Sequence, residues 1–209
     1  GIGNCTALPA GAAPEQVRAF DTGPGNMVID QVVQELSGGT RLYDDGGAWA
    51  AEGEPDAALL EELLRHPYFA APPPKSTGRE LFGRAYALAL IEAARRHGLA
   101  DADIVATATA LTARSIARAY ADFVFPHCDA QEIIVTGGGA HNATLMRMIG
   151  ELMPGRRVLK AADLGWNDDA REAVIFAILG NDFMHGVANN VPAATGASRP
   201  VVMGKLALP

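Results

Sequence analysis

Hydrophobic periodicity changes at residue 132, and this change restricts the chain to a small set of folds. Residues 132–136 (EIIVT) form a continuous apolar run that predicts a buried strand, and three glycines follow at 137–139. Residues 142–153 then show helical spacing, and a strand at 157–160 and a helix around 169–185 repeat the order. A β-α-β-α run of this kind predicts an α/β domain.

Composition narrows the range of partners. The 209 residues carry 17 Lys and Arg against 24 Asp and Glu, a net charge of −7, so neither nucleic acid nor an anionic membrane surface is favoured. No apolar run approaches the roughly 20 residues that cross a bilayer. Cys5 and Cys128 lack metal-ligand or CxxC spacing, and we expect both to be core residues.

The first half of the chain contains other recognisable elements. Residues 2–8 and 16–20 predict a hairpin, and residues 26–36 predict a helix with Asn26 as its N-cap. Three prolines make residues 72–78 (PPPKSTG) a rigid loop, because each proline fixes φ and removes a donor. Residues 79–97 and 101–125 predict two long helices.

A glycine-rich segment, residues 21–26 (DTGPGN), joins the predicted hairpin to the first helix. Glycine lets a backbone approach an anion, and a helix N-terminus favours negative charge, so this segment is suited to phosphate. Asp21 would be repelled by phosphate unless it contacts a metal or accepts a proton from a nucleophile. The alternative is a capped turn in which Asp21 accepts hydrogen bonds from local backbone N–H groups.

The second glycine-rich segment, residues 136–142 (TGGGAHN), lies where α/β sheets bind nucleotides. It departs from GxGxxG because Asn142 replaces the third glycine, so a dinucleotide site is disfavoured. The alternative is that its glycines only allow close packing of helix on strand. Two such loops in one domain favour a split nucleotide site, with one loop for phosphates and the other for the nucleoside.

With these loops the sequence resembles the anhydro-N-acetylmuramic acid kinases, a branch of the actin and sugar-kinase superfamily. The matching blocks are residues 19–26 (AFDTGPGN), 43–48 (YDDGGA), 72–80 (PPPKSTGRE), 107–113 (TATALTA), 136–142 (TGGGAHN), 172–173 (EA) and 195–197 (TGA). They keep the family's order and reach almost the last residue.

The resemblance implies a ribonuclease H-like fold, the actin/hexokinase-type ATPase lobe with a mixed sheet flanked by helices. Residues 1–209 would be the C-terminal lobe of a two-lobe sugar kinase, because the family's Gly-Thr-Ser phosphate loop has no counterpart here. The implied partners are the amino sugar, ATP and the N-terminal lobe of the same protein. A homodimer stays open, and neither nucleic acid nor a membrane is expected.

The resemblance also implies a cytoplasmic enzyme of cell-wall recycling. It would use ATP and Mg²⁺ to convert 1,6-anhydro-N-acetylmuramic acid and water to N-acetylmuramic acid 6-phosphate. Asp21 would be the catalytic base, and no side chains are assigned to a resident metal. The residues implied at the ATP phosphates are Thr22, Gly23, Gly25 and Asn26. Those implied at the adenosine are Gly137, Gly138, Gly139 and Asn142.

Three further residues have both a functional and a structural interpretation. Lys75 and Arg79 could contact phosphate or the sugar's carboxylate, or Ser76 or Thr77 could simply cap a helix that begins near Arg79. Glu172 could bind sugar hydroxyls or be an exposed helix carboxylate. For the whole chain, the alternative function is a non-catalytic sugar- or nucleotide-binding module.

Overall fold

The computed structural model describes residues 1–167 and 170–207. Within them the strands are β1 (Ile2–Ala7), β2 (Arg18–Pro24), β3 (Glu132–Val135) and β4 (Arg157–Lys160). The helices are α1 (Asn26–Leu36), α2 (Ala48–Ala51), α3 (Ala57–Leu63), α4 (Pro67–Ala70), α5 (Arg79–Phe82), α6 (Arg84–Arg96), α7 (Asp101–Phe123), α8 (Ala143–Leu152), α9 (Arg171–Met184) and α10 (Pro192–Thr195). No helix in these two ranges is long and apolar enough to cross a lipid bilayer.

The predicted hairpin is confirmed: β1 and β2 pair antiparallel. β2 starts later than predicted and continues through Pro24, so residues 21–24 belong to the strand rather than to a loop. Only Gly25 separates the strand from α1. Cys5 lies in the core, as expected, whereas Cys128 is half-buried.

The long helix α7 lies at the centre of the core. Strand β2 and helices α1, α2 and α8 pack against it. Its alanine- and threonine-rich middle is buried, and these small side chains let the neighbouring elements approach closely. The fully buried apolar residues on this helix include Ile104, Val105, Ala108 and Leu111.

The helix predicted over residues 79–97 is interrupted. It consists of α5 and α6, which meet at Gly83, where the backbone is extended (φ −92°, ψ −155°). Phe82, just before the break, is fully buried and stacks on Phe69, with the ring centroids 5.6 Å apart. Helical spacing alone does not reveal a break at one residue, since the apolar residues continue on both sides of it.

The second strand pair is parallel, as the βαβ order requires. β3 and β4 are joined through α8, with Ile133 opposite Val158. The α/β class is therefore confirmed. In the described residues, however, the strands form two separate two-stranded sheets rather than one mixed sheet. One face of β3 has little cover, since Ile134 is 49% exposed.

Helix α9 follows the second sheet and has no buried residue. The sequence predicts a helix over 169–185, and the structure has it from Arg171 to Met184; Asp169 lies outside the described residues. Several exposed side chains on α9 are large and apolar, and Phe176 is 71% exposed. An apolar helix of this length normally packs against other protein.

Candidate active site

The structure brings the two glycine-rich segments together. A Cβ atom built on Gly138 would lie 3.5 Å from Nδ2 of Asn26, the first residue of α1. Gly138 itself is exposed, so the space beside it is open to solvent. One predicted phosphate ligand and one predicted adenosine ligand therefore lie side by side.

Asp21 is held at three of its atoms. Its backbone N–H donates to the carbonyl of Lys75 (3.1 Å), and its carbonyl accepts from the Tyr68 hydroxyl (2.9 Å). Carboxylate oxygen Oδ2 accepts from the backbone N–H of Thr77 (2.9 Å). Among the described residues the other oxygen, Oδ1, has no hydrogen-bond partner. The carboxylate is thus oriented, with one oxygen left to accept a proton.

The Tyr68 hydroxyl donates a hydrogen bond to the carbonyl of Asp21. Burial, together with the negative charge of Asp21, raises the pKa of Tyr68 to about 12. The phenol therefore stays protonated near neutral pH, and its hydrogen bond to the Asp21 carbonyl is retained. The sequence indicates Thr77 only as a possible helix cap and does not link Tyr68 or Thr77 to Asp21, because both lie about 50 residues from Asp21 along the chain.

Thr22 points away from the open face. Successive side chains alternate across a strand, and Thr22 is only 1% exposed. Among the described residues its hydroxyl has no hydrogen-bond partner, and a Cβ built on Gly3 would lie 2.7 Å from it. This burial does not support a phosphate contact from the Thr22 side chain.

The two glycines of this segment are required by packing. Gly23 has φ +140°, a conformation that other residues avoid, and a Cβ there would lie 2.7 Å from the Phe69 ring. The N–H of Gly25 donates to the carbonyl of Gly1 (3.0 Å), so this donor is already used within the chain. Gly25, not Asn26, is the N-cap of α1, so the predicted capping role of Asn26 is wrong.

The Asn26 side chain takes a different partner. Its amide donates to the Asp30 carboxylate one turn further along α1 (2.7 Å). Burial raises the pKa of Asp30, and the bond from Asn26 counters that shift only in part. Asp30, which the motif analysis did not single out, therefore places a second acidic group close to the junction of the two loops.

The second glycine-rich loop is built around a helix cap. Gly137 has φ +76°, and residues 138–141 form a short 3₁₀ turn before α8. Asn142, predicted to contact adenosine, is buried and accepts from the N–H of Leu145 (2.8 Å), which caps α8. The Asn142 side chain thus stabilises the start of α8, whereas Gly138 is exposed to solvent.

Residues 43–48, one of the blocks that resemble the family, pack against this loop. Gly47 adopts φ +75° and lies against the Asn142 side chain, where a Cβ would collide. Its carbonyl accepts from the Thr144 hydroxyl (2.7 Å). Asp44, whose role the sequence left open, accepts from two backbone N–H groups at the start of α2.

Lys75 does not face the open site. Its ammonium donates to the carbonyls of Tyr68 (3.1 Å) and Phe69 (3.4 Å). It also lies 4.8 Å from the ring centroids of both Tyr68 and Phe123. These contacts occupy the cation, so the expected contact with phosphate or the sugar carboxylate is not supported.

The other weak candidates remain exposed. Arg79 is the first residue of α5, and the capping alternative is wrong, because Gly78 precedes it and provides no side-chain cap. Glu172 lies in the exposed first turn of α9. The neighbouring Arg171 contacts the hydroxyl of Thr136, directly before Gly137, so α9 starts beside the second glycine-rich loop.

In residues 1–167 and 170–207 we find no cluster of three or more His, Cys, Asp or Glu side chains that could hold a metal ion. A magnesium ion carried by nucleotide phosphates does not need such a cluster, because it commonly takes only one or two protein carboxylates.

Comparison with known proteins supplies the family. The family model described as anhydro-N-acetylmuramic acid kinase matches residues 1–208. Relatives of that name from Caldanaerobacter subterraneus subsp. tengcongensis and Salinibacter ruber are 48% and 47% identical, each aligned over 100% of this chain and 52% of its own length. One from Bacillus cereus is 42% identical over 100% of the chain and 54% of its own length.

The chain thus spans about half the length of the curated relatives it matches. The alignments with these two relatives are 208 and 209 residues long and cover the whole chain, so they contain no large gap. They therefore include both glycine-rich segments and the strand that carries Asp21. This chain belongs to the anhydro-N-acetylmuramic acid kinase family.

Proposed function

We propose that this chain forms one lobe of an ATP-dependent kinase that acts on 1,6-anhydro-N-acetylmuramic acid. The enzyme would convert this sugar, water and ATP to N-acetylmuramic acid 6-phosphate and ADP, as one step of cell-wall recycling in the cytoplasm. The observation that carries the proposal is the geometry at Asp21, which lies in the first glycine-rich segment: Thr77 donates to its carboxylate and Tyr68 donates to its carbonyl.

In this proposal Asp21 is the general base. Its carboxylate accepts a proton from the water that attacks the anomeric carbon, and the bond from that carbon to O6 breaks. O6 then accepts the γ-phosphoryl group of ATP, and ADP leaves. A base that is correctly positioned contributes roughly 10²–10⁴-fold to such a step. The hydrogen bond from Thr77 supplies that positioning, because it fixes one carboxylate oxygen.

The nucleotide would lie along the open side of the junction between β2 and α1. Asn26 and Gly138 support this, since they lie side by side and Gly138 has no side chain to block a base or ribose. The N-terminal end of α1 favours the negative charge of phosphate. Mg²⁺ carried by ATP would neutralise phosphate charge during transfer.

We further propose that the chain is the C-terminal lobe of a ribonuclease H-like, actin/hexokinase-type enzyme. The lobe that supplies the other half of the cleft would cover α9, which exposes Ile175 and Phe176. The length of the relatives supports this occupant, because about half of each relative has no counterpart in this chain. Glu172, at the start of α9, would then face the cleft.

The test is a coupled assay on a protein of the relatives' full length that contains this sequence. ATP and 1,6-anhydro-N-acetylmuramic acid should together release ADP and yield one equivalent of the 6-phosphate. Neither compound alone should give ADP above background. If both ligands bind with no product formed, the chain belongs to a binding module instead.

A further inference from the structure

Lys75 lies in an enclosure of aromatic rings. Its ammonium is 4.8 Å from the ring centroids of Tyr68 and Phe123 and 5.9 Å from that of Phe20. The two carbonyls of Tyr68 and Phe69 accept its hydrogen bonds. Cations are attracted to ring faces at such distances, and the attraction grows as water is excluded.

The backbone around this cation holds Asp21. The carbonyl of Lys75 accepts from the N–H of Asp21, and Thr77, two residues further on, donates to the Asp21 carboxylate. Tyr68 closes the arrangement, since its ring faces the ammonium while its hydroxyl donates to the Asp21 carbonyl. One lysine side chain therefore ties together both segments that contact Asp21.

We propose that Lys75 is a positioning residue, whose ammonium holds residues 75–77 and Tyr68 in the arrangement that orients the Asp21 carboxylate. The inference rests on the proposed function, in which Asp21 is the base. Lys75 acts through Asp21 and touches neither the sugar nor ATP. Without the cation, Tyr68 and the 75–77 segment lose their common partner, and the Asp21 carboxylate turns more freely.

The first test follows backbone amide exchange by NMR in this 209-residue chain, so it does not depend on the reaction. Lys75→Met keeps the apolar stem and removes the charge, whereas Lys75→Arg keeps the charge. The matched control is Lys205→Met, at an exposed lysine in the tail. Rates are normalised to buried amides of α7, which report global stability.

We expect the Asp21 and Thr77 amides to exchange at least tenfold faster in Lys75→Met after normalisation. In Lys75→Arg and Lys205→Met the rates should stay within threefold of the parent. Unchanged normalised exchange in a folded Lys75→Met variant would overturn the inference. If Lys75→Met does not fold, the exchange is measured in Lys75→Gln, which also removes the charge. Normalised exchange at least tenfold faster than in Lys205→Met then supports the inference, and rates within threefold of Lys205→Met overturn it.

The second test is kinetic and uses the full-length protein. Lys75→Met should lower kcat by about 10- to 100-fold, because a misplaced catalytic group costs rates of this order. KM for both substrates should stay within twofold, and Lys75→Arg should recover most of the rate. A tenfold higher KM with kcat retained would show instead that Lys75 binds substrate.

Combining Lys75→Met with Asp21→Asn separates the two roles. If Lys75 acts only through Asp21, the second substitution lowers the residual rate by less than twofold. Multiplicative losses would overturn the positioning role. A parent enzyme with no kinase activity would refute the proposed function, while amide exchange would still decide whether Lys75 holds Asp21.

Discussion

Replacing Asp21 by asparagine isolates the proton-accepting role from the structural one. Among the described residues only Oδ2 is hydrogen-bonded, by the N–H of Thr77 at 2.9 Å, and an amide oxygen can still accept that bond. The two backbone bonds of residue 21 do not involve the side chain. We therefore expect the free energy of unfolding to change by less than about 1 kcal/mol.

Catalysis should respond very differently, because a neutral amide does not accept a proton near pH 7. A positioned base contributes roughly 10²–10⁴-fold, equivalent to about 3–5 kcal/mol of barrier. We expect Asp21→Asn to lower kcat/KM by about 10³-fold or more while ATP affinity stays within about twofold. ADP release in the full-length protein measures the rate, and calorimetry measures the affinity.

The matched control is Asp129→Asn, which makes the same charge change at an exposed carboxylate paired with Arg156. It should leave kcat/KM unaltered. Turnover by Asp21→Asn within about threefold of the parent would show that another group removes the proton. A large loss of ATP affinity would instead place Asp21 among the nucleotide ligands.

Three further predictions concern the loop, the hairpin and the chain as a whole. Gly138→Val should fold normally, because a Cβ there only reaches van der Waals distance of Asn26. Its ATP affinity, measured by calorimetry, should nevertheless fall at least tenfold. Gly137→Val, at φ +76°, should instead lower the free energy of unfolding by about 1–3 kcal/mol. Burial raises the pKa of Cys5 from 9.0 to about 11. The unfolded thiol therefore ionises first as pH rises, and Cys5 should lower the free energy of unfolding between these values by up to about 1.4 kcal/mol per pH unit. In denaturant titrations Cys5→Ala should remove this contribution, while Tyr86 and Tyr120, whose pKa values are also raised by burial, keep a slope of the same sign above about pH 10. The 209-residue chain alone should fold but not phosphorylate the sugar, and steady sugar-dependent ADP release would contradict this.

Local patterns were sufficient for the elements that depend on local properties. The hairpin, α7, α8 and the β3–β4 pair follow from apolar spacing and turn residues, and their bounds differ from prediction by only a few residues. The break at Gly83 was not predictable in this way, because it depends on Phe82 reaching its partners in the core. The extension of β2 through Asp21 likewise depends on pairing with β1.

Strand β3 and helix α9 share one property, which is that both expose large apolar side chains. Ile134 on β3 is 49% exposed and Phe176 on α9 is 71% exposed, although side chains of this kind are more often buried. Sequence periodicity assigns such residues to a core without saying which chain segment supplies the other side. About half of each relative has no counterpart in this chain. The segment that packs against these side chains therefore cannot be identified from these 209 residues.

Lys75 shows why residue type alone misassigns a charged residue beside a candidate phosphate site. A lysine next to serine, threonine and glycine suits an anion, so the sequence allows a ligand contact beside the alternative of a capped helix with its charges in solvent. Its actual surroundings come from Phe20, Tyr68 and Phe123, which are far apart in sequence and meet only in the folded chain. Three rings and two carbonyls satisfy the cation, so its charge serves the backbone that holds Asp21. The motif at residues 72–78 thus correctly indicates a segment that contacts the candidate site. The role of Lys75 within it depends on tertiary contacts, which a local sequence pattern does not reveal.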